Sequence, residues 1–143
     1  MTSEDNKAVF RRFIEEVANR GDLTAIGAVF APDATYLLPG SPEPLSGHAG
    51  ITQFVTAFRT AIPDYHGTIE EQVAEGDTVV TRVTGRGTNR GELMGLAPSG
   101  KAAVWSVVHI SRFAAGRIVE DRVTFDQLSF LQQLGHLPAS GQT

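Results

Sequence analysis

Residues 101–125 read KAAVWSVVHISRFAAGRIVEDRVTF, and this stretch decides the fold. β-Branched and aromatic residues are frequent on both sides of Ala114-Ala115-Gly116, a short segment with the composition of a tight turn. The stretch therefore predicts a β-hairpin whose strands lie near residues 101–113 and 117–125.

Alternate side chains of a strand share a face, so the residues of each strand of this hairpin can be assigned to one face or the other. A tight turn at residues 114–116 lays either Asp121 or Val123 opposite His109, depending on the register of the two strands. On the first strand, one face carries Ala103, Trp105, Val107, His109 and Ser111. On the second strand, one face carries Val119, Asp121, Val123 and Phe125, and the other carries Glu120, Arg122, Thr124 and Asp126.

Upstream of the hairpin, the same composition predicts two more strands, near residues 67–74 and 78–90, joined at the turn sequence Glu75-Gly76-Asp77. Predicted strands of about 10 residues exceed the usual length of about 5 to 6, so we expect an antiparallel sheet that bends strongly. The expected bend or bulge sites are the glycines Gly85, Gly87 and Gly91.

The first half of the chain has helical periodicity instead, and it predicts three helices. The first has Thr2 or Ser3 as its N-cap and ends at Gly21, the second is short and begins at Asp22, and the third ends at Pro63. Their apolar stripes are Val9, Phe10, Phe13, Ile14 and Val17; Leu23, Ile26, Val29 and Phe30; and Ile51, Phe54, Val55, Phe58 and Ile62.

The connecting segments complete the predicted order of elements. Pro32-Asp33 is expected to end the second helix before a short strand over residues 34–38, and a proline-rich loop follows at 39–44. A closing helical turn is expected over residues 127–134, and residues 139–143 are expected to form a loose tail. Helices followed by strands indicate an α+β fold, in which a long bent sheet covered by helices forms a cone around an apolar pocket.

Length and composition narrow the class of protein. A chain of 143 residues, 41% hydrophobic and 20% charged, fits one globular domain, which we place at residues 1–143. A net charge of −4 without a basic run argues against nucleic acid and anionic membranes as partners. The absence of cysteine, of a targeting segment and of a long apolar run predicts a cytoplasmic protein.

Several segments together resemble the SnoaL-like polyketide cyclases, also called ester cyclases, a branch of the nuclear-transport-factor-2-like superfold. The resemblance covers nearly the whole chain in order. The segments that carry it are Asn-Arg-Gly-Asp-Leu at 19–23, Phe-Ala-Pro-Asp-Ala at 30–34, Gly-Glu-Leu-Met-Gly-Leu-Ala-Pro-Ser-Gly-Lys at 91–101, Gly-Arg-Ile-Val-Glu at 116–120 and Leu-Gln-Gln-Leu-Gly at 131–135.

The resemblance implies a cone-shaped barrel whose cavity holds a polycyclic aromatic or terpenoid-like ligand. It also implies a histidine on the penultimate strand and an aspartate on the last strand as acid/base groups. The histidine matches His109, but the aspartate position falls on Val123, which cannot transfer a proton. We therefore expect Asp121 to supply the displaced carboxylate, so that His109 and Asp121 form the catalytic pair.

Each of these residues also has a purely structural interpretation. His109 would then be a core histidine bonded to the backbone, and Asp121 a solvated charge in the run Glu120-Asp121-Arg122. Arg122 could anchor a carboxylate or phenolate of the ligand, or pair with Asp126 at the mouth of the barrel. Candidate pocket-lining residues that could equally be plain core are Tyr36, Phe54, Phe58, Tyr65, Met94 and Trp105. Val123 is also expected to contact the ligand.

No metal or organic cofactor is expected. The histidines His48, His66, His109 and His136 lack metal-ligand spacing, and no glycine-rich phosphate loop or nucleophile elbow is present. The sequence therefore predicts cofactor-free acid/base chemistry on a hydrophobic ring system, in a homodimer. The alternatives are a non-catalytic ligand-binding domain of this fold, or hydration, isomerisation or oxygenation on the same scaffold.

Overall fold

Six β-strands form one curled sheet, and four α-helices pack against it. The computed structural model describes residues 2–138, so the predicted tail over 139–143 lies outside the described residues. The helices are α1 (Ser3–Arg12), α2 (Ile26–Val29), α3 (Gly47–Ala61) and α4 (Gln127–Gln133). The strands are β1 (Phe30–Leu37), β2 (Leu45–Ser46), β3 (His66–Glu75), β4 (Thr78–Thr88), β5 (Ala102–Ala114) and β6 (Arg117–Phe125). The α+β class is confirmed.

The sheet has the strand order β2-β1-β6-β5-β4-β3, and it differs from the expected barrel in two respects. It is not closed, because β2 and β3 stand at opposite edges of that order. It is also not wholly antiparallel, since β1 runs parallel to β6. The parallel pair is possible because helix α3 and strands β3 to β5 separate β1 from β6 in the chain, which leaves ample length for a crossover.

The first predicted helix is built from two kinds of turn. Thr2 and Asp5 form a capping box at the start of α1, with the Thr2 side chain accepting from the Asp5 amide. After Arg12 the chain continues as a π-helical segment, Phe13–Ala18, and Gly21 then follows with φ +71°. The wider π-helical turns are frequently found at functional sites, and this one contributes Phe13, Ile14 and Ala18 to the cavity wall described below.

The second predicted helix is shorter than expected. A 3-10 turn over Leu23–Ala25 and α2 account for it, and Phe30 already begins β1. Pro32 and Asp33 therefore lie within the strand instead of ending the helix. The pairing of β1 with β6 shifts in register between Phe30 and Thr35, so the segment that contains the proline makes no regular ladder.

No β-bulge is found at glycines 85 and 87 in the pairing of β4 with β5, because the two strands pair in unbroken register from Thr78 to Thr88. These glycines are needed for close packing instead. A Cβ atom at Gly85 would lie 2.9 Å from the Trp105 ring, and one at Gly87 would lie 2.2 Å from Ile62. Gly91 lies after β4 and approaches the backbone of α3, where its Cβ would lie 2.2 Å from the Thr60 carbonyl oxygen.

Candidate active site

A cavity of about 530 Å³ lies between the sheet and the helices. Its wall is mostly apolar and aromatic, as is usual for sites that hold small organic molecules. Most of the residues that were predicted from the sequence to form a pocket line this cavity, and their roles in binding stay predictions. They are Tyr36, Phe54, Phe58, Tyr65, Met94, Trp105, His109 and Val123.

Other parts of the cavity wall were not predicted from the sequence. Strand β6 and helix α4 contribute Phe125 and Phe130, whose rings lie 5.7 Å apart, and Phe130 packs 4.6 Å from Trp105. The loop over residues 38–42 also contributes. Phe125 could have been found from the alternation of side chains along the strand, which puts it on the same face as Val123. The loop carries no sequence signal for its position in the fold.

The loop between β4 and β5 brings Leu93 and Met94 to the cavity, and Asn89 fixes its ends. Asn89 is fully buried, and its side-chain amide donates to the Gly91 carbonyl over 2.8 Å. Its side-chain oxygen accepts from the Ser99 amide over 3.1 Å and from His136 Nε2 over 2.7 Å. One asparagine therefore ties both ends of this loop to the segment that follows α4.

Arg122 and Asp126 do not reach the cavity, which corrects their assignment as ligand-binding residues. Arg122 is exposed on the outer face of β6, where it lies opposite the half-exposed Ile110. Asp126 is exposed at the start of α4, and its carboxylate accepts from the Ser129 amide over 2.9 Å. No ion pair joins them in the part of the chain that the structure describes.

His109 and Asp121 contact one another directly beside the cavity. His109 Nδ1 lies 2.8 Å from Asp121 Oδ2, and the second carboxylate oxygen accepts from Ser111 Oγ over 2.6 Å. In the register of the hairpin, Val123 is the residue opposite His109, and Asp121 is opposite Ser111. Ser111 belongs to this hydrogen-bonded group but was not singled out from the sequence, although it lies two residues after His109 and so shares its strand face.

These contacts determine how the imidazole is held. Because an ionised carboxylate only accepts hydrogen bonds, Nδ1 carries the hydrogen and Nε2 keeps its lone pair in the neutral ring. The ring packs against Phe10 at a centroid distance of 4.9 Å and Phe13 at 6.3 Å. His109 lines the cavity, so Nε2 is the ring nitrogen left for a ligand.

Asp121 is completely buried and is not part of the cavity wall. The expectation that Asp121 itself moves a substrate proton does not fit this position, because His109, the partner of the carboxylate, lines the cavity and Asp121 does not. The geometry fits a positioning residue, which orients His109 and can stabilise its charged form.

Burial controls the acidity of both tyrosines in the cavity. Desolvation raises the pKa of Tyr65 to about 12. Burial, followed by the nearby Asp121 carboxylate and then Tyr65, raises the pKa of Tyr36 well above its ordinary value. Both phenols are therefore neutral hydrogen-bond donors at neutral pH.

We predict that an alkaline absorbance titration detects almost no tyrosinate in the folded protein at about pH 11, where ordinary tyrosines are mostly ionised. Tyr36 and Tyr65 are the 2 tyrosines of the chain, so the signal has no other source. Because the folded-state pKa values lie above the unfolded value of about 10, stability is unaffected below that pH and falls above it. Protein unfolded in urea is the control, and a normal titration of the folded protein would contradict the prediction.

Neither a metal-ligand cluster nor a helix that could span a membrane is found among residues 2–138. No group of three or more histidine, aspartate or glutamate side chains there is arranged to hold a metal ion. Within the same residues, no helix combines the length and apolar character that crossing a membrane requires.

Comparison with known proteins connects this geometry to a family. A family model described as SnoaL-like polyketide cyclase matches residues 8–134. The candidate polyketide cyclase IdmH from Streptomyces antibioticus shares 31% identity at a TM-score of 0.79, over 91% of this chain and 98% of that one. AclR from Streptomyces galilaeus, a candidate hydroxylase, shares 28% identity at a TM-score of 0.82, over 96% and 89%.

A candidate SnoaL-like polyketide cyclase from Jannaschia sp. CCS1 has a TM-score of 0.88 over 95% of both chains. Its identity of 21% makes this a likeness of fold alone. Comparison with curated proteins gives no match.

Proposed function

Since this chain belongs to the SnoaL-like polyketide cyclase family, we propose that it closes or isomerises a ring in a hydrophobic, polyketide-like intermediate of secondary metabolism, such as antibiotic biosynthesis. The reaction would be an intramolecular carbon–carbon bond formation driven by acid/base catalysis without a cofactor. The observation that carries the proposal is His109, whose Nδ1 is bonded to the buried Asp121 while the ring lines an apolar cavity.

The proposed reaction has His109 as its only proton carrier. Nε2 removes a proton from a carbon next to a substrate carbonyl, which leaves an enolate and an imidazolium held by Asp121. The enolate carbon attacks a second carbonyl carbon of the same molecule, one carbon–carbon bond forms and the second carbonyl becomes an alkoxide. The imidazolium then returns its proton to this alkoxide, so protons and electrons balance without an oxidant or reductant.

The shape of the cavity supports a reaction of this kind. The rings of Phe54 and Phe58 of α3 lie 6.0 Å apart at an interplanar angle of 26°, and the Phe58 ring meets the Trp105 ring of β5 edge to face at 6.5 Å. Flat aromatic walls hold a flat ligand in few conformations. Holding two reacting carbons at close range removes much of the entropic barrier to ring closure, which can contribute several kcal/mol.

Two observations favour the alternative functions, which are a non-catalytic binding domain and an enzyme of hydration or oxygenation. Val123 is apolar at the position where the resemblance implies a carboxylate, and it lies opposite His109, as a non-catalytic binding protein would allow. AclR is a candidate hydroxylase, so hydration or oxygenation on this scaffold is the other alternative. A homodimer and a cytoplasmic location remain predictions of the sequence.

Proton abstraction can be tested with an aryl β-keto ester that has one acidic C–H, without knowing the natural substrate. We predict that the protein, treated with a chelator and given no cofactor, accelerates exchange of this hydrogen for deuterium, followed by NMR. The single tryptophan, Trp105, lines the cavity, so quenching of its fluorescence reports occupancy by the same compound.

The two measurements separate the candidate functions. Quenching together with exchange supports an acid/base enzyme. Quenching without exchange beyond that of the His109→Gln protein would instead indicate a binding domain. A failure of apolar aromatic compounds to quench Trp105 would contradict both, since both need the cavity to take such a ligand.

A further inference from the structure

We infer that the Tyr36 hydroxyl donates a hydrogen bond to the carbonyl oxygen of the substrate and stabilises the enolate that His109 creates. This inference rests on the proposed function and names the second group that touches the reacting atoms. It also specifies the ligand, which must have a carbonyl oxygen in reach of Tyr36 and an acidic C–H in reach of His109.

The strand pairing brings Tyr36 next to the histidine and aspartate. In the parallel pair of β1 and β6, Tyr36 is the register partner of Asp121, the residue bonded to His109. Both Tyr36 and His109 pack against the same ring, that of Phe13, at centroid distances of 6.2 Å and 6.3 Å. Both line the cavity, so one ligand can contact the two groups together.

The Tyr36 hydroxyl has no hydrogen-bond partner among residues 2–138, although the residue is only 3% exposed. Among those residues, the polar side-chain atoms that are fully enclosed and unpartnered are Asn6 Oδ1 and Arg11 Nε. The Tyr36 hydroxyl is not one of them, as expected if it opens onto the cavity and awaits a partner there.

The electrostatic environment keeps this group a donor. The pKa of Tyr36 is raised mainly by burial and then by the Asp121 carboxylate, so the phenol does not ionise at neutral pH. Proton transfer to His109 gives an imidazolium beside that carboxylate, and the two charges offset one another. A neutral donor placed where an oxyanion develops is worth more in a cavity of low polarity than in water.

Tyr65 has a different location, although it is also a tyrosine of the cavity wall. Its hydroxyl lies against β3, where a Cβ atom on Gly67 would lie 2.6 Å from it. Its ring packs against Phe58 and Trp105, at 5.0 Å and 5.9 Å. Tyr65→Phe therefore removes the same chemical group from another part of the same wall, and serves as the comparison variant.

The first test measures the exchange of the aryl β-keto ester at saturation. We predict that Tyr36→Phe lowers the rate constant by about 10²- to 10³-fold, the loss seen when one oxyanion donor is removed, with Trp105 quenching retained. Tyr65→Phe should change the apparent affinity more than the rate constant. One outcome would overturn this inference and leave the proposed function in place. In that outcome the wild-type protein exchanges the hydrogen faster than the His109→Gln protein, and the Tyr36→Phe protein has the same rate constant as the wild type.

The second test needs no turnover. We predict that Tyr36→Phe weakens binding of a nitro-substituted naphtholate, which imitates the enolate, by about 10- to 100-fold, and leaves binding of naphthalene unchanged. Equal losses for both compounds, or none for the naphtholate, would overturn the inference. Near-ultraviolet circular dichroism of the variant checks that the cavity is intact, and Phe keeps the ring that packs on Phe54 at 5.4 Å.

Discussion

Replacing His109 with glutamine is expected to lower turnover by about 10²- to 10⁴-fold, the usual contribution of a positioned general base. Glutamine has a similar length and remains polar, but its amide cannot take up a proton at neutral pH. Because the carboxylate of Asp121 lies behind the cavity wall, we expect no other group to take over as the base. The measurement is the rate constant for exchange of the aryl β-keto ester at saturation.

The same substitution should leave ligand binding nearly unchanged, because the aromatic walls remain. Fluorescence quenching of Trp105 measures that binding. His66→Gln is the matched control, since His66 is exposed on the edge strand β3 and does not line the cavity. Full activity in the His109→Gln protein would place the base elsewhere and contradict the mechanism.

Asp121→Asn is expected to lower turnover by a similar factor, about 10²- to 10⁴-fold, although Asp121 does not contact the ligand. Ser111 Oγ would continue to donate to the side-chain oxygen, which turns the amide nitrogen toward His109. An amide nitrogen donates, so Nδ1 must accept and the ring hydrogen moves to Nε2. The imidazole would then present an N–H to the cavity in place of the lone pair that we propose as the base.

The tautomer is the readout that separates this effect from simple loss of stability. Nitrogen-15 NMR of the imidazole should report hydrogen on Nε2 in Asp121→Asn and on Nδ1 in the wild type. Ser111→Ala removes one hydrogen bond from the carboxylate without changing the tautomer, so its loss of turnover should be about tenfold or less. A wild-type tautomer with wild-type turnover in Asp121→Asn would contradict a positioning role.

Much of the sheet could be predicted, because strand periodicity is a local property of the chain. The strands expected near residues 67–74, 78–90, 101–113 and 117–125 correspond to β3 to β6, within a few residues at each end. The class of side chain at Trp105, Phe54 and Phe58 made them candidates for a pocket wall or for the core, and all three line the cavity. Proline and glycine were less informative, since Pro32 is accommodated inside a strand and Gly87 accommodates Ile62.

The register around His109 could not be predicted, because it depends on one extra residue in β6. Next to the turn, Ala114 pairs with Arg117 and Phe113 with Ile118. The register then shifts, so that Arg112 pairs with Glu120 and His109 with Val123. Without this bulge, the same turn would place Arg122 opposite His109 and turn Asp121 away from the cavity.

The sequence by itself determined which side chains share a strand face, with His109 on the face of Trp105 and Ser111, since this follows from a period of two. The place of His109 in a pocket wall was implied by the family resemblance. Only the tertiary structure decided that Asp121 lies behind His109 and that Arg122 faces outward. The physical reason is that periodicity assigns side chains to faces, whereas contacts across strands depend on a bulge and on packing between distant segments. For residues 101–125, the local sequence was therefore enough to predict the hairpin, but not the contact between His109 and Asp121.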